Sequence, residues 1–574
     1  MKYLLGINAF HADSSAALLK NGKVIFATEE ERFERVKHWA GLPLKSIEFC
    51  LQAEGINIQD VEAICIGRDP KAKIRNKISY MLKRPKSALG MFQHRFSNRN
   101  DLGNIENEIK MFFGHCPPIK FIEHHRAHLA SAFFSSPFYE SAVVSIDGSG
   151  DFSTVMIGKG HGNKIEVLES QDFPVSVGLF YTAFTQFLGF PYYGDEYKVM
   201  GLSPYGEPRY LNELRKLIWL GKKNILEWDE SFFDLDGGVV SYEMNMPQVS
   251  QLFKIERFEE FFGKIRRKEE SIEERHKNIA ASLQRYTEEL IFGIVERAYQ
   301  LTGLRKVTIA GGVAQNSVAN GKILKYTSFD ELYIPSAGHD AGIAMGAAQY
   351  QYFNNLNYQR IDPLYNANLG ISFSNDQIRE VLINLKLEFT FLEDQDLFPF
   401  LAKKISESNV IGFFDGSAEF GPRALGSRSI LADPRNPEAQ ALLNEKIKKR
   451  ESFRPFAPSI LEEFGSEYFH DYQFTPFMER VLSIKEEKRP MIPAVTHVDG
   501  SGRLQSVKKE LRPRYHRLIS EFHKLTGVPI LINTSFNENE PVVNIPKEAI
   551  DCYLRTDLDI LVLGNYVLSK SPIN

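Results

Sequence analysis

The sequence predicts an α/β protein in which one strand-and-hairpin unit occurs twice. In each copy an apolar strand with a polar end leads into a hairpin, and the first hairpin turns at Asn21-Gly22, a typical two-residue turn. Repetition of this kind indicates a duplicated α/β unit. The copies comprise Tyr3–Ile7 with Ser15–Thr28, and Ala142–Asp147 with Ser153–Gly158 and Lys164–Leu168.

A third element, Lys306–Asn316, is a strand that breaks at two glycines before a helix. Backbone amides at such a break can approach a phosphate or the sugar of a nucleotide, although two glycines after a strand also make a simple tight turn. Together with the two strand–hairpin units, this element resembles the duplicated actin-like (ASKHA) fold of sugar kinases, whose two halves close over a nucleotide. Gly311, Gly312 and Asn316 are then expected to line the nucleotide.

Two histidines four residues apart, His124 and His128, suggest a metal site. On a helix they leave from one face, which favours His124 over its neighbour His125 as the partner of His128. Asp147 and Asp340 are each read as a carboxylate at a strand end beside a glycine. Two imidazoles and two carboxylates suit Fe(II), Mn(II) or Zn(II). The alternative is a chance pair of surface or core histidines.

Composition excludes several classes of protein. At 574 residues the chain exceeds one hydrophobic core, and 43% hydrophobic with 25% charged residues is typical of a globular protein. A net charge of −4 gives no global reason to expect nucleic acid or an anionic membrane as partner. The four cysteines match neither a zinc cluster nor a disulfide scaffold. The N-terminus does not resemble a signal peptide and no apolar run approaches ~20 residues, so we expect a cytoplasmic address.

Three other segments bear on organisation. The basic stretch Lys71–Arg99 favours a solvated face over a site for an anionic partner, and Lys264–His276 predicts a mixed-charge surface helix. The chain becomes loop-like from about Phe353 to Asn375. We therefore expect an N-terminal domain of residues 1–355 and a C-terminal domain of residues 356–574.

The C-terminal third places arginines among glycines and prolines, which indicates fixed loops rather than an amphipathic helix. A rigid guanidinium offers bidentate binding to phosphate or carboxylate. The alternative is a salt-bridge network with Glu419, Glu451 and Asp499. The residues predicted to bind an anion are Arg423, Lys448, Arg454, Arg503, Asn533 and Ser535.

These motifs resemble the bacterial O-carbamoyltransferase family (NodU/CmcH/TobZ-like), and the resemblance covers nearly the whole chain. It implies an actin-like carbamoyl-transfer domain similar to the transferase that makes threonylcarbamoyladenosine in tRNA, followed by a YrdC-like α/β domain that forms an acyl-adenylate. The runs that carry it are Gly6–Ala17, Glu29–His38, Glu123–His128, Gly194–Leu202 and Phe420–Gly426.

The resemblance implies two chemical stages. In the C-terminal domain, Arg423 and Lys448 would act on carbamoyl phosphate and ATP, accompanied by Mg²⁺, to give carbamoyl-adenylate. In the N-terminal domain, a hydroxyl of a small-molecule acceptor such as a sugar or natural product would attack the carbamoyl carbon and expel AMP. The metal, Fe(II) or a similar divalent ion, would lie between the four ligands as a Lewis acid.

His11 and Asp13 lie where the family places the acceptor, and Lys37 is a weaker candidate for that pocket. Neutral His11 would orient or deprotonate the hydroxyl, unless it is a satisfied loop histidine. Acceptor specificity is expected in loops 70–115 and 225–255, and a chain of this size has room for a homodimer interface. The acceptor, the metal and the oligomeric state stay open.

Two other functions compete with this one. The first is an actin-fold metal-dependent hydrolase or kinase with a regulatory C-terminal domain. The second is a nucleotide sensor that binds a partner without catalysis. The arginine-rich loops discriminate against a kinase, because a kinase has no need of a second anion pocket.

Overall fold

The computed structural model describes residues 2–83, 104–235 and 238–571, which divide into an N-terminal unit, Met1–Leu364, and a C-terminal unit, Tyr365–Asn574. The division therefore falls after Leu364 rather than after residue 355. Residues 356–364 still bond to the N-terminal unit: Leu364 donates its amide to Ser135, 2.9 Å away. Arg360 donates to the carbonyls of Phe133 and Ser136, each at 2.7 Å.

The two predicted strand–hairpin units each open a five-stranded sheet, and both sheets have the same topology. In each, three antiparallel strands are followed across the sheet by two parallel strands, in the chain order 3-2-1-4-5. This duplication is the architecture of the actin-like fold. In that spatial order the first sheet comprises Lys23–Glu29, Ser15–Lys20, Tyr3–Asn8, Val61–Ile66 and Ile119–Phe121, and the second comprises Lys164–Asp172, Ser153–His161, Glu140–Gly150, Lys306–Ala310 and Glu331–Tyr333.

The helix Gly342–Gln349 packs closely on both the first sheet and the helix His124–Phe133, called here the histidine helix. A Cβ at Gly346 would lie 1.9 Å from the carbonyl oxygen of Ala127, and one at Gly6 would lie 1.8 Å from that of Ala344. Backbone at such a distance leaves no room for a methyl group, so glycine is required at both contacts.

Further elements surround these sheets. Two small antiparallel hairpins join Ile218–Leu220 with Leu226–Trp228, and Val240–Glu243 with Met246–Val249. The other α-helices of the N-terminal unit include Glu31–Glu34, Leu44–Glu54, Ile74–Lys83, Val177–Phe187, Glu196–Leu202, Leu211–Leu214, Ile255–Phe262, Glu274–Thr302, Ser317–Asn320 and Ile323–Tyr326.

The prediction of a surface helix at Lys264–His276 was wrong for most of its length, because the helix begins only at Glu274. The preceding loop is organised by the buried Arg266. Its guanidinium donates to the carbonyls of Leu188 at 2.7 Å and Glu270 at 2.7 Å, which satisfies irregular backbone in place of helical bonds. Of the basic stretch Lys71–Arg99, residues 84–99 lie outside the described residues.

The C-terminal unit is built on one mixed eight-stranded sheet with a continuous apolar core. Its strands, in spatial order, are Thr390–Phe391, Tyr566–Ser569, Ile560–Leu563, Ile411–Phe414, Arg428–Ala432, Ile530–Ser535, Ala457–Leu461 and Gln505–Val507. Its α-helices include Asn375–Asn384, Asp394–Ser406, Ala439–Leu442, Gly465–Tyr468, Pro513–Thr526 and Pro546–Arg555.

Within the described ranges, no helix combines the length and the apolarity needed to cross a bilayer.

Candidate metal and anion sites

The histidine helix presents His124 and His128 from one face, as their spacing predicts, and both side chains are buried. Their Nε2 atoms are 3.0 Å apart. Asp147 Oδ2 lies 3.0 Å from the first and 3.5 Å from the second of these nitrogens. Asp340 Oδ1 lies 3.5 Å and 3.3 Å from them. The four predicted ligands therefore meet at one point.

This donor set fits a divalent ion. Ligand bonds of about 2.1 Å place neighbouring ligands roughly 3.0–3.4 Å apart. The imidazole nitrogens lie 3.0 Å from each other and 3.0–3.5 Å from the two carboxylate oxygens, which is close to that range. Burial lowers the pKa of His128, but Asp147 and Asp340 raise it to about 9, and the pKa of Asp147 is held well below its usual range by the two imidazoles. Without a cation the cluster retains a proton between buried nitrogens and oxygens, and metal binding would displace that proton.

Asp147 is aimed by the irregular end of its strand, Glu140–Gly150, where the pairing register shifts. Its Oδ1 accepts hydrogen bonds from the amides of Gly148 at 2.8 Å and Gly312 at 3.0 Å, which leaves Oδ2 to the imidazoles. Gly311, directly before Gly312, has a φ of +98°, a conformation that favours glycine. The predicted Gly-Gly break thus supports the carboxylate as well as ending a strand.

Asp340 does not end a strand, so that part of the expectation was wrong. The strand Glu331–Tyr333 ends earlier, and Asp340 instead precedes the helix Gly342–Gln349. Its position depends on the close packing of this helix, which sequence patterns do not reveal.

His11, on the loop after the first strand, joins the donor set through Asp340. Its Nδ1 lies 2.9 Å from Asp340 Oδ2, and its ring centroid lies 5.6 Å from that of His124. Burial lowers the pKa of His11, but Asp340 outweighs burial and raises it. Protonation is therefore more favoured in the metal-free protein than the predicted neutral form implies.

Asp13 follows in the same loop at φ +58°, with its Oδ1 2.7 Å from His38 Nδ1. Lys37, which directly precedes His38 in the sequence, is exposed. Two aromatic residues that the sequence analysis did not single out lie near His11 and His38. The ring of Tyr193 is 5.1 Å from that of His38, and the ring of Tyr242 is 6.1 Å from that of His11. Tyr242 lies within residues 225–255, where acceptor specificity was expected, and Tyr193 directly precedes the run Gly194–Leu202, but no spacing pattern identifies either tyrosine.

The amide of Asn316 is engaged in local structure. It exchanges hydrogen bonds with the amide of Gln284 at 3.0 and 3.1 Å and accepts from the amide of Ala319 at 3.0 Å, which caps a short helix. Contact of Asn316 with a nucleotide stays a prediction.

In the C-terminal unit, three of the predicted residues and one missed residue form an arginine cluster. Burial and the neighbouring cations Arg423, Arg450 and Arg454 lower the pKa of Arg503. Among the described residues, Arg503 Nε is buried without a hydrogen-bond partner. Like charges gathered around a desolvated guanidinium are unfavourable unless an anion is bound. Arg450 lies two residues after Lys448 in a basic run, and this run is the sequence feature that could have identified Arg450.

The acidic residues of these loops have other partners. Glu419 accepts hydrogen bonds from the backbone amides of Leu425 and Ser427, each at 2.7 Å. Asp499 accepts from the amide and hydroxyl of Ser501 at 3.0 and 2.6 Å. Glu451 lies 3.5 Å from the cluster residue Arg454. An anion pocket at this cluster stays a prediction.

Lys448 supports the end of a strand. Its buried ammonium donates to the carbonyl and side-chain oxygens of Asn537 at 2.8 and 2.6 Å, and to Ser535, while burial lowers its pKa. Asn533 donates to Ser459 and Gln505 at 3.1 and 3.0 Å, and among the described residues its Oδ1 is buried without a donor. Contact of this oxygen with a ligand stays a prediction.

The N-terminal unit thus defines an actin-like α/β protein with a buried His₂Asp₂ site that could bind a metal. Family models named carbamoyltransferase N-terminus and carbamoyltransferase C-terminus match residues 3–349 and 402–570. The chain belongs to this family and is a carbamoyltransferase.

Relatives match along nearly the full length. Uncharacterized protein sll1178 of Synechocystis sp. is 38% identical over 100% of this chain and 97% of the relative. Nodulation protein NolNO of Sinorhizobium fredii is 36% identical over 98% of this chain and 80% of the relative. Component A of (R)-2-hydroxyglutaryl-CoA dehydratase from Acidaminococcus fermentans, a solved structure, covers 61% of this chain and 98% of its own, with 13% identity and a TM-score of 0.32, too distant to inform function.

Gly150→Ala should weaken metal binding. The added Cβ would lie 2.1 Å from Cδ2 of His124, so the imidazole must move. We expect the dissociation constant for Zn(II), measured by competition with a chelator, to rise roughly 10- to 100-fold. Gly148→Ala is the matched control, because its Cβ would meet nothing closer than Leu179 at 3.9 Å. Equal Zn(II) affinities of the two variants would contradict the assignment of His124 as a metal ligand.

The His38–Asp13 pair should make stability depend on pH. Burial lowers the pKa of His38, but Asp13 raises it from 6.5 to about 9. The pair therefore stabilises the fold fully below about pH 6.5 and loses this contribution as the pH rises through about 9. Urea unfolding should show that His38→Gln costs on the order of 2 kcal/mol more at pH 6 than at pH 10. An equal cost at both pH values would exclude the ion pair.

Proposed function

We propose that this carbamoyltransferase is ATP-dependent. It would transfer the carbamoyl group to a hydroxyl of an acceptor, with carbamoyl-adenylate as the intermediate. Carbamoyl phosphate and water would give carbamate and phosphate. Carbamate and ATP would then give carbamoyl-adenylate and pyrophosphate. The acceptor hydroxyl would take the carbamoyl group and release AMP. The acceptor class is a small hydroxylated molecule such as a sugar or natural product.

The arginine cluster is the observation that carries this proposal. Carbamoyl phosphate and ATP are polyanions, and Arg423, Arg454 and Arg503 offer fixed guanidinium groups that neutralise phosphate oxygens. Burial and the neighbouring arginines lower the pKa of Arg503, and such a ligand would relieve the repulsion among these cations. Lys448 would act by holding Ser535 and Asn537 in place, and Asn533 Oδ1 would accept from the carbamoyl amide. Mg²⁺ would accompany ATP.

The His₂Asp₂ set supports the transfer step. A divalent ion, Fe(II) or similar, would supply Lewis-acid polarisation when bound by His124, His128, Asp147 and Asp340. His11 Nδ1 lies 2.9 Å from Asp340 Oδ2, and in the neutral ring that carries its proton on Nδ1 the Nε2 atom is unprotonated. We propose that this nitrogen takes the proton of the acceptor hydroxyl. The nearby Tyr193 and Tyr242 would supply aromatic surface to the acceptor.

Arg503→Ala should abolish adenylate formation. The assay is carbamoyl-phosphate-dependent exchange of labelled pyrophosphate into ATP, which needs no acceptor. We expect a loss of roughly 100-fold or more, because a buried donor to transferring phosphates is removed. Arg379→Ala, which changes an exposed arginine of the same unit, should exchange like the unaltered protein. Formation of ADP instead of exchange would indicate a kinase.

His128→Ala should retain pyrophosphate exchange within about threefold but lose carbamoyl transfer by roughly 100-fold, because only the second step uses the donor set. Transfer is measured by mass spectrometry of products from a panel of hydroxylated metabolites. His161→Ala, at an exposed histidine of the same unit, controls for the substitution. If Arg503→Ala and His128→Ala fail at the same step, the division of labour between the two units is wrong.

A further inference from the structure

The turn that follows the Asp147 strand has an unusual backbone. Asp151 and Phe152, between the strands Glu140–Gly150 and Ser153–His161, have φ +49° and +76°. Positive φ at both central positions is the geometry of a type I′ hairpin turn. It is costly for a phenylalanine, and such strain persists where the surroundings impose it, often at functional sites. Phe152 is held by rings of Tyr80 and Phe173 at 5.6 and 5.8 Å.

This turn reaches the first turn of the histidine helix. Gly150 lies against the imidazole of His124, and Asp151 Oδ2 accepts the backbone amide of His124 at 2.9 Å. The residue that precedes the helix, Glu123, makes no capping bond with its own side chain. Asp151 therefore satisfies one of the unpaired amides at this helix end and interacts favourably with the helix dipole.

The same oxygen holds a second segment. Asp151 Oδ2 also accepts the backbone amide of Asp69 at 2.7 Å. The neighbouring Arg68 donates to the carbonyl of Phe10 at 3.1 Å, directly before His11. Hydrogen bonds, together with the peptide link between Arg68 and Asp69, thus connect the amide of His124 through Asp151 to the loop of His11.

We propose that Asp151 is a positioning residue that couples the metal-binding helix to the acceptor-side loop. One carboxylate oxygen fixes the start of the histidine helix and the Asp69 segment in a single register. The distance between the His11 ring and the metal ligands is thereby maintained. The proposal rests on the proposed metal site and extends it to a residue that touches neither metal nor substrate.

Three variants separate the hydrogen bonds from backbone strain. Asp151→Asn keeps an acceptor oxygen and tolerates positive φ, so it should preserve the coupling. Asp151→Gly removes the acceptor without strain, and Asp151→Ala removes it with strain. If the hydrogen bonds matter, the Gly and Ala variants should behave alike in position-sensitive measurements and differ only in thermal stability.

The first measurement is amide hydrogen exchange of the full-length, metal-free protein. Asp151→Gly should accelerate exchange in peptides containing Asp69 and in peptides containing His124, and Asp151→Asn should restore both. Acceleration in only one of the two segments, or in neither, would overturn the proposal.

The second measurement is binding of Zn(II) alone. Asp151→Gly should weaken it roughly 10- to 100-fold, and Asp151→Asn should restore it. Wild-type affinity in Asp151→Gly would overturn the positioning role. Failure of the unaltered protein to bind Zn(II) would refute the proposed metal site, while the exchange result would still decide whether Asp151 couples the two segments.

Discussion

Contact between two helices at the distance that only glycine permits brings the donor set together. Gly346 lies against the carbonyl of Ala127 on the histidine helix, and this packing carries Asp340, at the start of the second helix, to the two imidazoles. A methyl group at Gly346 would need space that the backbone of the other helix occupies. The contact joins residues more than two hundred positions apart in the sequence, and Asp340 in turn orients His11. The four candidate metal ligands and the loop of His11 therefore depend on one packing contact.

The candidate sites of the two units favour ligands of opposite charge. In the N-terminal unit, two buried carboxylates face two imidazoles, and the pKa of His128 rises to about 9 because the cluster favours a positive charge at its centre. In the C-terminal unit, burial and the neighbouring arginines lower the pKa of Arg503, so this cluster favours a negative charge. Low-dielectric surroundings strengthen both preferences. Such a pair of sites suits a transferase that would consume anionic substrates in one unit and polarise a carbonyl in the other.

Side chains around both sites divide into those that could meet a ligand and those that hold the protein in shape. Arg428 directly follows the glycine-rich loop of Arg423 and begins a strand, yet it donates to the carbonyls of Gly416 and Ile371, each at 3.0 Å. Lys448 likewise bonds to Ser535 and Asn537. The hydrogen bonds of a basic residue therefore indicate whether its role is structural, whereas the sequence shows only its charge.

By itself, the sequence determined what depends on local spacing. The hairpin at Asn21-Gly22 follows from turn chemistry, and the common face of His124 and His128 follows from helical period. The similarity of the two strand–hairpin units likewise indicated the duplicated sheets. Local spacing failed at Lys264–His276, where a buried arginine satisfies loop carbonyls. Only tertiary structure decided that Asp340 lies just before a helix, that Arg450 joins the cluster, and that Asp151 bonds to His124 and Asp69. Those contacts join distant segments, and close packing rather than residue order sets their distances.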